Sequence, residues 1–217
     1  MNYLKGLAVV AVLAALVVFV FLQAGQQNDN SLKEKPTARK SDQTETPDTR
    51  APNFQADFAV NGQPVKLSEL RGKVVLLDFW AVWCGPCIQS IPHLNELHDR
   101  YKDRGLQIVG VALYNNQPDG SYCFDKTTGQ LKPASNMTRL RWRASLKDFA
   151  EYHKVNYLLV SLSEADQAKV SAAYGVRGIP HAVLIDRSGT IREAFVGSSL
   201  NEAQRMDTAI EKIIKES

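Results

Sequence analysis

Two cysteines separated by two residues, Cys84 and Cys87, are the residues of this chain best suited to covalent chemistry. They follow the apolar run Val74–Phe79 and precede a stretch with apolar residues every three or four positions, so a strand should pass into a helix there. Free amides and the dipole at a helix N-terminus stabilise a thiolate. The spacing lets the pair close a disulfide within one turn. The pattern predicts thiol–disulfide exchange, with Cys84 attacking and Cys87 resolving.

Gly85 and Pro86 fit between these cysteines because proline tolerates the first turn of a helix, where its missing N–H is not needed. Half of a zinc site is the structural alternative. Such a site needs a second ligand pair at zinc spacing, which Cys123 and the scattered histidines do not supply. A copper-binding protein that uses Cys84, Cys87 and His181 as ligands stays open as an alternative.

Asp78 lies six residues before Cys84 in an otherwise apolar strand. Burial of a lone carboxylate is unfavourable and raises its pKa, so its presence there requires a reason. We expect Asp78 to accept the proton of Cys87. The alternative is an acid at the end of the strand that reaches solvent.

The segment Gly178-Ile179-Pro180 precedes the last predicted hairpin. An X-Pro bond at such a strand entrance can be a cis peptide bond. His181 follows it and is expected to be packed or solvated rather than catalytic. The other aromatic residues near these motifs have expected places: Trp80 in the core, Trp83 at the rim of the site, and His93, His98 and His153 on helix surfaces.

The elements around the cysteines form a predicted βαβ unit. The strand Val74–Phe79 is joined to the strand Gln107–Leu113 by the helix that ends near Tyr101 and that Pro92 should kink, so the two strands should be parallel. Upstream, a β-hairpin is predicted to turn at Asn61-Gly62. The downstream elements are predicted as a helix (145–154), a strand (157–160), a helix (164–174), a hairpin (181–195) and a helix (201–215).

Residues 1–24 read as a membrane anchor. From Gly6 to Leu22 there is no charged or strongly polar side chain, a length at the short limit for a membrane span. A cleaved signal peptide fits less well, because leucine occupies a position where a cleavage site needs a small residue. Residues 25–50 are polar and are predicted to form a flexible linker to a folded domain at 51–217.

Residues 115–142 form an unusually long connection, predicted as an extra loop insertion. It should leave the sheet at the edge where Cys84 lies and shape the access of clients. Arg139, Arg141 and Arg143 would suit an acidic partner surface, with Trp142 as an apolar anchor. Cys123 within it is expected to be a spare thiol.

The composition is that of an ordinary globular domain with appendages. The chain has 217 residues, of which 44% are hydrophobic and 23% charged, and a formal net charge of +3. This charge is too small to indicate a nucleic-acid partner. Three cysteines exclude a scaffold held together by several disulfides.

Three segments resemble the active-site strand and the cis-proline loop of thioredoxin: Asp78-Phe79-Trp80-Ala81, Trp83-Cys84-Gly85-Pro86-Cys87 and Tyr174-Gly175-Val176-Arg177-Gly178-Ile179-Pro180. The opening Ala51-Pro52-x-Phe54 and the run from Leu67 to Val75 are similar to the membrane-anchored TlpA/ResA group. The resemblance covers about Ala51 to Phe195. The chain departs from the family in the length of 115–142 and in His181, where threonine is common.

This resemblance implies an α/β thioredoxin fold, a central mixed sheet flanked by helices. It adds an N-terminal β-hairpin and an inserted helix and strand (145–160), preceded by a single transmembrane helix. It also implies that Pro180 is cis and holds client backbone near Cys84, with further client contacts from Trp83, Gly85, Pro86 and Ile179. Asp78 matches the buried acid of thioredoxin.

The family faces the extracytoplasmic side of the bacterial membrane. The resemblance therefore implies a periplasmic domain that reduces disulfide-bearing client proteins, as in cytochrome c maturation, and an electron donor embedded in the membrane. The expected redox centre is the Cys84–Cys87 disulfide, without a further cofactor, metal or nucleic acid. The alternative within the same fold is a disulfide oxidant or isomerase.

Overall fold

A mixed sheet of six strands forms the centre of the computed structural model, which describes residues 50–114 and 121–216. The strands of the described chain are β1 (Phe58–Val60), β2 (Val74–Trp80), β3 (Leu106–Ala112), β4 (Tyr122–Asp125), β5 (Gln130–Pro133), β6 (Leu158–Ser161), β7 (His181–Ile185) and β8 (Ile191–Val196). The helices are α1 (Gly85–Tyr101), α2 (Arg139–Tyr152), α3 (Glu164–Ala173) and α4 (Leu200–Lys215). The strand order of the large sheet is β1-β6-β3-β2-β7-β8, and β4 and β5 form a separate pair.

The predicted anchor and nearly all of the predicted linker lie outside the described residues, as do residues 115–120 of the insertion. Across 50–114 and 121–216, none of the helices combines the length and the apolar character that a membrane span requires.

The strand β2 lies in the middle of the sheet, and all seven of its residues are buried. It runs parallel to β3, with Val74 opposite Leu106, and antiparallel to β7, with Phe79 opposite His181. Burial on both faces explains its continuous apolar run. The predicted βαβ unit is confirmed, and its helix α1 continues through Pro92.

Alternate residues of β2 enter two cores on opposite faces of the sheet. Val74, Leu76 and Trp80 belong to a core that includes residues of α1, α2 and α4. Val75, Leu77 and Phe79 belong to a second core with α3 and the segment before β1. Asp78 shares the strand phase of the first set, so its side chain is directed to the face covered by α1 and α4.

The predicted N-terminal β-hairpin is wrong in its pairing. The strand β1 pairs antiparallel with β6, with Phe58 opposite Ser161. Asn61 explains the change, because its side-chain amide donates to the carbonyls of Val155 at 2.7 Å and Tyr157 at 3.1 Å. The two predicted arms still meet farther from the turn, where Gln55 and Lys66 form an isolated bridge and Ala56 N donates to Val65 O at 2.9 Å.

The described part of the predicted loop insertion is folded, which corrects that prediction. Residues 122–133 form the β4–β5 hairpin, and α2 begins at Arg139 rather than near Ser145. Thr138 caps this helix, since its hydroxyl accepts a hydrogen bond from Arg141 N at 3.2 Å. The ring of Phe124 packs on Phe149 of α2 at 5.2 Å, so the hairpin is held against the helix.

The other downstream elements match their predictions closely. The strands β7 and β8 pair antiparallel around the turn at Asp186, whose carboxylate accepts hydrogen bonds from Ser188 N at 2.9 Å and Thr190 N at 3.0 Å. Ser199 caps the closing helix α4 by accepting from Glu202 N at 3.2 Å. The predicted helix and strand after the insertion correspond to α2 and β6.

Candidate active site

The two cysteines lie where the chain leaves β2 and enters α1. Cys84 is the N-cap of α1, and its Sγ accepts a hydrogen bond from Cys87 N at 3.3 Å. The two residues form a disulfide with an S–S distance of 2.01 Å. Pro86 lies in the first turn, where the helix loses no hydrogen bond through it. The sulfur of Cys84 is therefore placed at the positive end of a 17-residue helix.

The surface over the disulfide is formed by three of the predicted client-contacting residues. Cys84 and Cys87 are both buried, whereas Gly85 and Pro86 are exposed and Trp83 is 44% exposed. An exposed tryptophan beside a buried disulfide gives the site an apolar rim.

The bond between Ile179 and Pro180 is a cis peptide bond, as the resemblance implied. It precedes β7, which pairs antiparallel with β2, so it lies at the sheet edge from which Cys84 emerges. Gly197 N donates to the carbonyl of Pro180 at 2.9 Å and joins this loop to the end of β8. Ile179 packs against both cores.

Asp78 is 5% exposed, as its place in an apolar strand predicts. Its neighbours across the sheet are Gly110 of β3 and Ala182 of β7. A Cβ at Gly110 would lie 2.6 Å from Leu159 Cδ2 and 3.0 Å from Trp80 Nε1, so the close packing beside Asp78 requires glycine. Burial raises the pKa of the Asp78 carboxyl to about 7. This carboxyl can therefore take up or release a proton near neutral pH.

A cavity of about 230 Å³ opens above Asp78. It lies between α1, α4 and the chain that follows β8, and Pro180 forms part of its wall. His93 also lines it, with Nε2 at 3.1 Å from Oδ1 of Asp207. The two atoms lie within ion-pair distance, although their geometry is not that of a hydrogen bond. His93 lies on α1 with 29% of its side chain exposed, which agrees with its predicted place on a helix surface.

The sequence hardly indicates this cavity, because its walls come from elements more than 100 residues apart in the chain. The small residues Gly197, Ser198 and Ser199 before α4 were its one local signal. Short side chains at the start of a helix leave room beside the neighbouring elements.

His181 is buried at the start of β7, with its ring edge against Phe79 at 6.1 Å between centroids. Burial lowers the pKa of its imidazole. Within the described residues its Nε2 has no hydrogen-bond partner. The packed position that the sequence predicted is confirmed. His153 is also packed, 4.3 Å from the Phe149 ring, rather than free on a helix surface.

The predicted partner surface on the insertion is not formed. Trp142 is 3% exposed and packs against the ring of Tyr114 at 5.3 Å, so it cannot serve as an exposed anchor. Arg139 and Arg143 both bind the carboxylate of Asp57, at 2.7 and 2.9 Å. These side chains lie on one face of α2 and fasten it to the start of β1. The sequence does not indicate the pairing of Arg139 with Asp57, because the acid lies 82 residues earlier in the chain.

Arg141 and Cys123 of the insertion also contact neighbouring residues. Arg141 donates to the carbonyl of Ser135 at 3.3 Å. Cys123 is a half-buried free thiol whose Sγ lies 3.8 Å from Sδ of Met137. In residues 50–114 and 121–216, no three or more His, Cys, Asp or Glu side chains cluster as metal ligands would.

Comparison with known proteins agrees with this geometry. Residues 46–210 match the family model described as Redoxin. The chain belongs to the Redoxin family. The chain is similar to the thiol-disulfide oxidoreductase ResA of Bacillus thuringiensis (strain Al Hakam), with 28% identity over 152 residues, which are 70% of each chain. It is also similar to ResA of Geobacillus kaustophilus (strain HTA426), with 30% identity over 143 residues, which are 66% of each chain.

Solved structures of other proteins share the fold. A Chlorobium tepidum protein assigned as the thiol:disulfide interchange protein DsbE has a TM-score of 0.56 and 29% identity, covering 76% of this chain and 95% of its own. The thioredoxin domain of a thiol-disulfide oxidoreductase from Bacteroides vulgatus has a TM-score of 0.55 at 23% identity, covering 75% and 96%. The predicted thioredoxin-like α/β fold is thus confirmed.

The family and the disulfide together establish the class of activity. This Redoxin-family chain is a thiol–disulfide oxidoreductase with Cys84 and Cys87 as its Cys-x-x-Cys centre. Disulfide-bearing proteins are the substrates that this class requires.

Proposed function

We propose that this oxidoreductase reduces the disulfides of extracytoplasmic client proteins, with Cys84 as the nucleophile and Cys87 as the resolving thiol. The observation that carries the proposal is the position of Cys84 Sγ, which caps α1 and accepts the Cys87 amide at 3.3 Å. In the reduced protein the same amide and the helix dipole would stabilise a thiolate on Cys84. A stabilised thiolate is the form that attacks a disulfide at neutral pH.

The reaction proceeds in two exchanges. The Cys84 thiolate attacks one sulfur of the client disulfide, forms a mixed disulfide and releases the other client sulfur as a thiolate. Cys87 then loses its proton and attacks Cys84, which releases the second client thiolate and forms the Cys84–Cys87 disulfide. Two electrons pass from the protein to the client. A membrane-embedded dithiol donor restores the reduced pair by the reverse exchanges.

Asp78 is the proposed acceptor of the Cys87 proton. Its carboxyl lies on the face of β2 that α1 covers, and burial holds its pKa at about 7. A base with a pKa near the working pH combines a useful ionised fraction with the ability to take up the proton.

The client is proposed to bind over the surface that surrounds the disulfide. Trp83, Gly85 and Pro86 are exposed there, and the Ile179–Pro180 loop lies at the same edge of the sheet. Exposed apolar groups beside a reactive sulfur would position an unfolded client segment without requiring one sequence.

The proposed location is the outer side of the bacterial cytoplasmic membrane. The apolar run at residues 6–22 would anchor the chain, and the polar residues 25–50 would tether the domain. The resemblance to the TlpA/ResA group supports this orientation and a place in cytochrome c maturation.

Trapping of clients tests the proposal. A Cys87→Ser variant of the full chain cannot resolve the mixed disulfide, so it should accumulate covalent complexes with extracytoplasmic proteins that a reductant releases for mass spectrometry. Cys84→Ser is the matched control and should trap none. Complexes only with cytoplasmic proteins would contradict the proposed location.

The direction of electron flow has its own measurement. A reduction potential near that of thioredoxin, about −270 mV, is expected for a reductase. A potential near −120 mV would instead identify a disulfide oxidant of the same fold.

A further inference from the structure

The cavity above Asp78 has a mixed lining that the exchange of disulfides does not itself require. Its walls are mostly apolar, with contributions from Leu94, Phe195 and Met206. The carboxyl of Asp78 forms part of its lining and is nearly inaccessible to bulk solvent. A volume of about 230 Å³ is far larger than one water molecule needs and is sufficient for a long side chain.

This cavity begins close to the disulfide. Ser90, one turn after Cys87, lines it, and its hydroxyl donates to the carbonyl of Pro86 at 3.2 Å. Pro180 lines it from the other side, and Leu200, which is 84% exposed, stands at its edge. An extended chain advances about 3.3 Å per residue, so a side chain within three residues of the reacting client cysteine can enter.

The charges that face the cavity are predominantly acidic. Asp78 of β2 and Glu202 of α4 line it, as does His93 of α1, whereas no lysine or arginine of the described part of the chain does. The charge of a protonated His93 is matched by Asp207, which lies 3.1 Å away. The guanidinium of Arg205 donates a hydrogen bond to Oε1 of Glu202 at 2.7 Å.

The backbone around Glu202 and the phenol of Tyr157 complete the electrostatic environment of the cavity. The backbone N–H of Glu202 donates to the hydroxyl of Ser199. The Glu202 carboxylate lies in the first turn of α4, where it offsets the positive end of the helix dipole. The phenol of Tyr157 also lies near Asp78, and burial with the Asp78 charge raises the pKa of that phenol well above its usual value. The cavity thus combines apolar walls with an uncompensated buried carboxyl.

We propose that this cavity receives a lysine or arginine side chain of the client from close to its disulfide, an inference that rests on the proposed reduction of client proteins. The methylene groups of such a side chain would contact the apolar walls. Its charged end would pair with the Asp78 carboxylate, and a charge-assisted hydrogen bond is among the stronger polar contacts.

Binding of a cation has a consequence for the proposed chemistry. A positive charge beside Asp78 favours its ionised form and lowers its pKa. A decrease of about one unit from the present value would raise the ionised fraction at pH 6 about fivefold. A client with the right side chain would thereby prepare Asp78 to accept the Cys87 proton, whereas an empty cavity leaves Asp78 mostly protonated at that pH.

Synthetic peptides with one internal disulfide test the inference. One position, scanned within three residues on either side of the disulfide, is occupied by lysine or by its uncharged analogue norleucine. The reduced full chain should reduce the best lysine peptide about fivefold faster than its norleucine partner at pH 6, after each rate is divided by the rate with dithiothreitol. That division removes differences in the intrinsic reactivity of the peptides.

Two substitutions assign the preference to the cavity. Ala203→Met on α4 should fill the cavity and abolish the lysine preference, and a urea titration shows whether the variant is folded. Thr208→Met, on an exposed position of the same helix, is the matched control and should keep the preference. Should Ala203→Met fail to fold, Glu202→Gln serves instead and should weaken the preference.

The outcomes separate this inference from the proposed function. Equal rates for lysine and norleucine at every position would overturn the cationic side chain while leaving client reduction intact. A preference that survives in both cavity variants would also overturn it. Failure of the chain to reduce any of the peptides would reject the proposed function and this inference together.

Discussion

Two segments leave neighbouring parallel strands at the same edge of the sheet, and each carries a tryptophan with opposite exposure. After β2 the chain exposes Trp83 and presents the disulfide beneath it. The insertion after β3 buries Trp142 and binds its arginines to Asp57. Trp83 precedes a helix cap, whereas Trp142 lies inside a helix whose apolar residues Leu146 and Phe149 follow at intervals of four and three. Position relative to the helix, not residue type, decides which tryptophan is exposed.

The largest effect on activity should come from replacing a cysteine, because Cys84 in the first segment caps α1 whereas Cys123 in the insertion is a free thiol. Cys84→Ser should lower the reduction of a client disulfide by about a thousandfold or more, because no other thiol occupies the cap of α1. Cys123→Ser is the matched control in the insertion and should retain full activity. An insulin reduction assay measures both. A large loss in Cys123→Ser would mean that the insertion takes part in the exchange.

The two tryptophans should separate stability from activity. Trp142→Ala should lower the free energy of unfolding by about 3–5 kcal/mol, because it leaves a cavity in the core beside Tyr114. Trp83→Ala should change it by less than about 0.5 kcal/mol yet slow the reduction of protein clients. Urea unfolding and client reduction are measured on both variants. Similar stability losses would contradict the difference in burial.

Asp78 should make stability depend on pH. Its pKa of about 7 in the folded protein exceeds the ordinary value of 3.8, so the folded state binds more protons between about pH 4 and pH 7. The free energy of unfolding should therefore fall as the pH rises through this window, by at most about 4 kcal/mol, and level off above it. Asp78→Asn should remove this fall, and urea titrations of the oxidised protein at pH 4 and pH 8 measure it.

The same substitution bears on the proton transfer. Asp78→Asn should slow the resolution of the mixed disulfide while the Cys84 thiolate still forms, as rapid alkylation would show. Asp103→Asn removes an exposed carboxylate and should leave both the resolution rate and the pH dependence unchanged. Unchanged resolution in a folded Asp78→Asn protein would reject the relay role.

The smallest effect concerns the arginines of the insertion. Asp57→Asn should lower the free energy of unfolding by about 1–2 kcal/mol, because it removes the charge that Arg139 and Arg143 share while both remain partly buried. The rate of DTNB reduction should not change. A stability equal to that of the parent protein would show that the two arginines are free for a partner, as the sequence first indicated.

Much of the site is readable from the sequence because its residues lie in runs with strong local signals. The apolar run of β2 predicts a buried strand, and its single acid stands out within it. The cap position of Cys84 follows from the change of period between strand and helix. The cis bond before Pro180 came from family resemblance, since an X-Pro pair alone does not determine its isomer.

The failed predictions depend on partners that are distant in the chain. Asn61 binds carbonyls 94 and 96 residues away, which moves β1 from a local hairpin to β6. The first turn of α2 is rich in arginine and lacks a strong apolar stripe, so only the cap at Thr138 marked its start. Packing between separate elements also creates the cavity above Asp78. No local pattern encodes such contacts.

The position of β1 bears on how the protein avoids unwanted association. The strand β1 pairs with β6 and forms one edge of the sheet, and this edge strand is three residues long. Long uncovered strands offer rows of free N–H and C=O groups that pair with extended peptides and promote aggregation. A thiol–disulfide oxidoreductase acts on proteins, so extended segments of its substrates are among the peptides that could pair with such an edge. The three-residue β1 offers few such groups at its border of the sheet, so an extended peptide would gain little by pairing there.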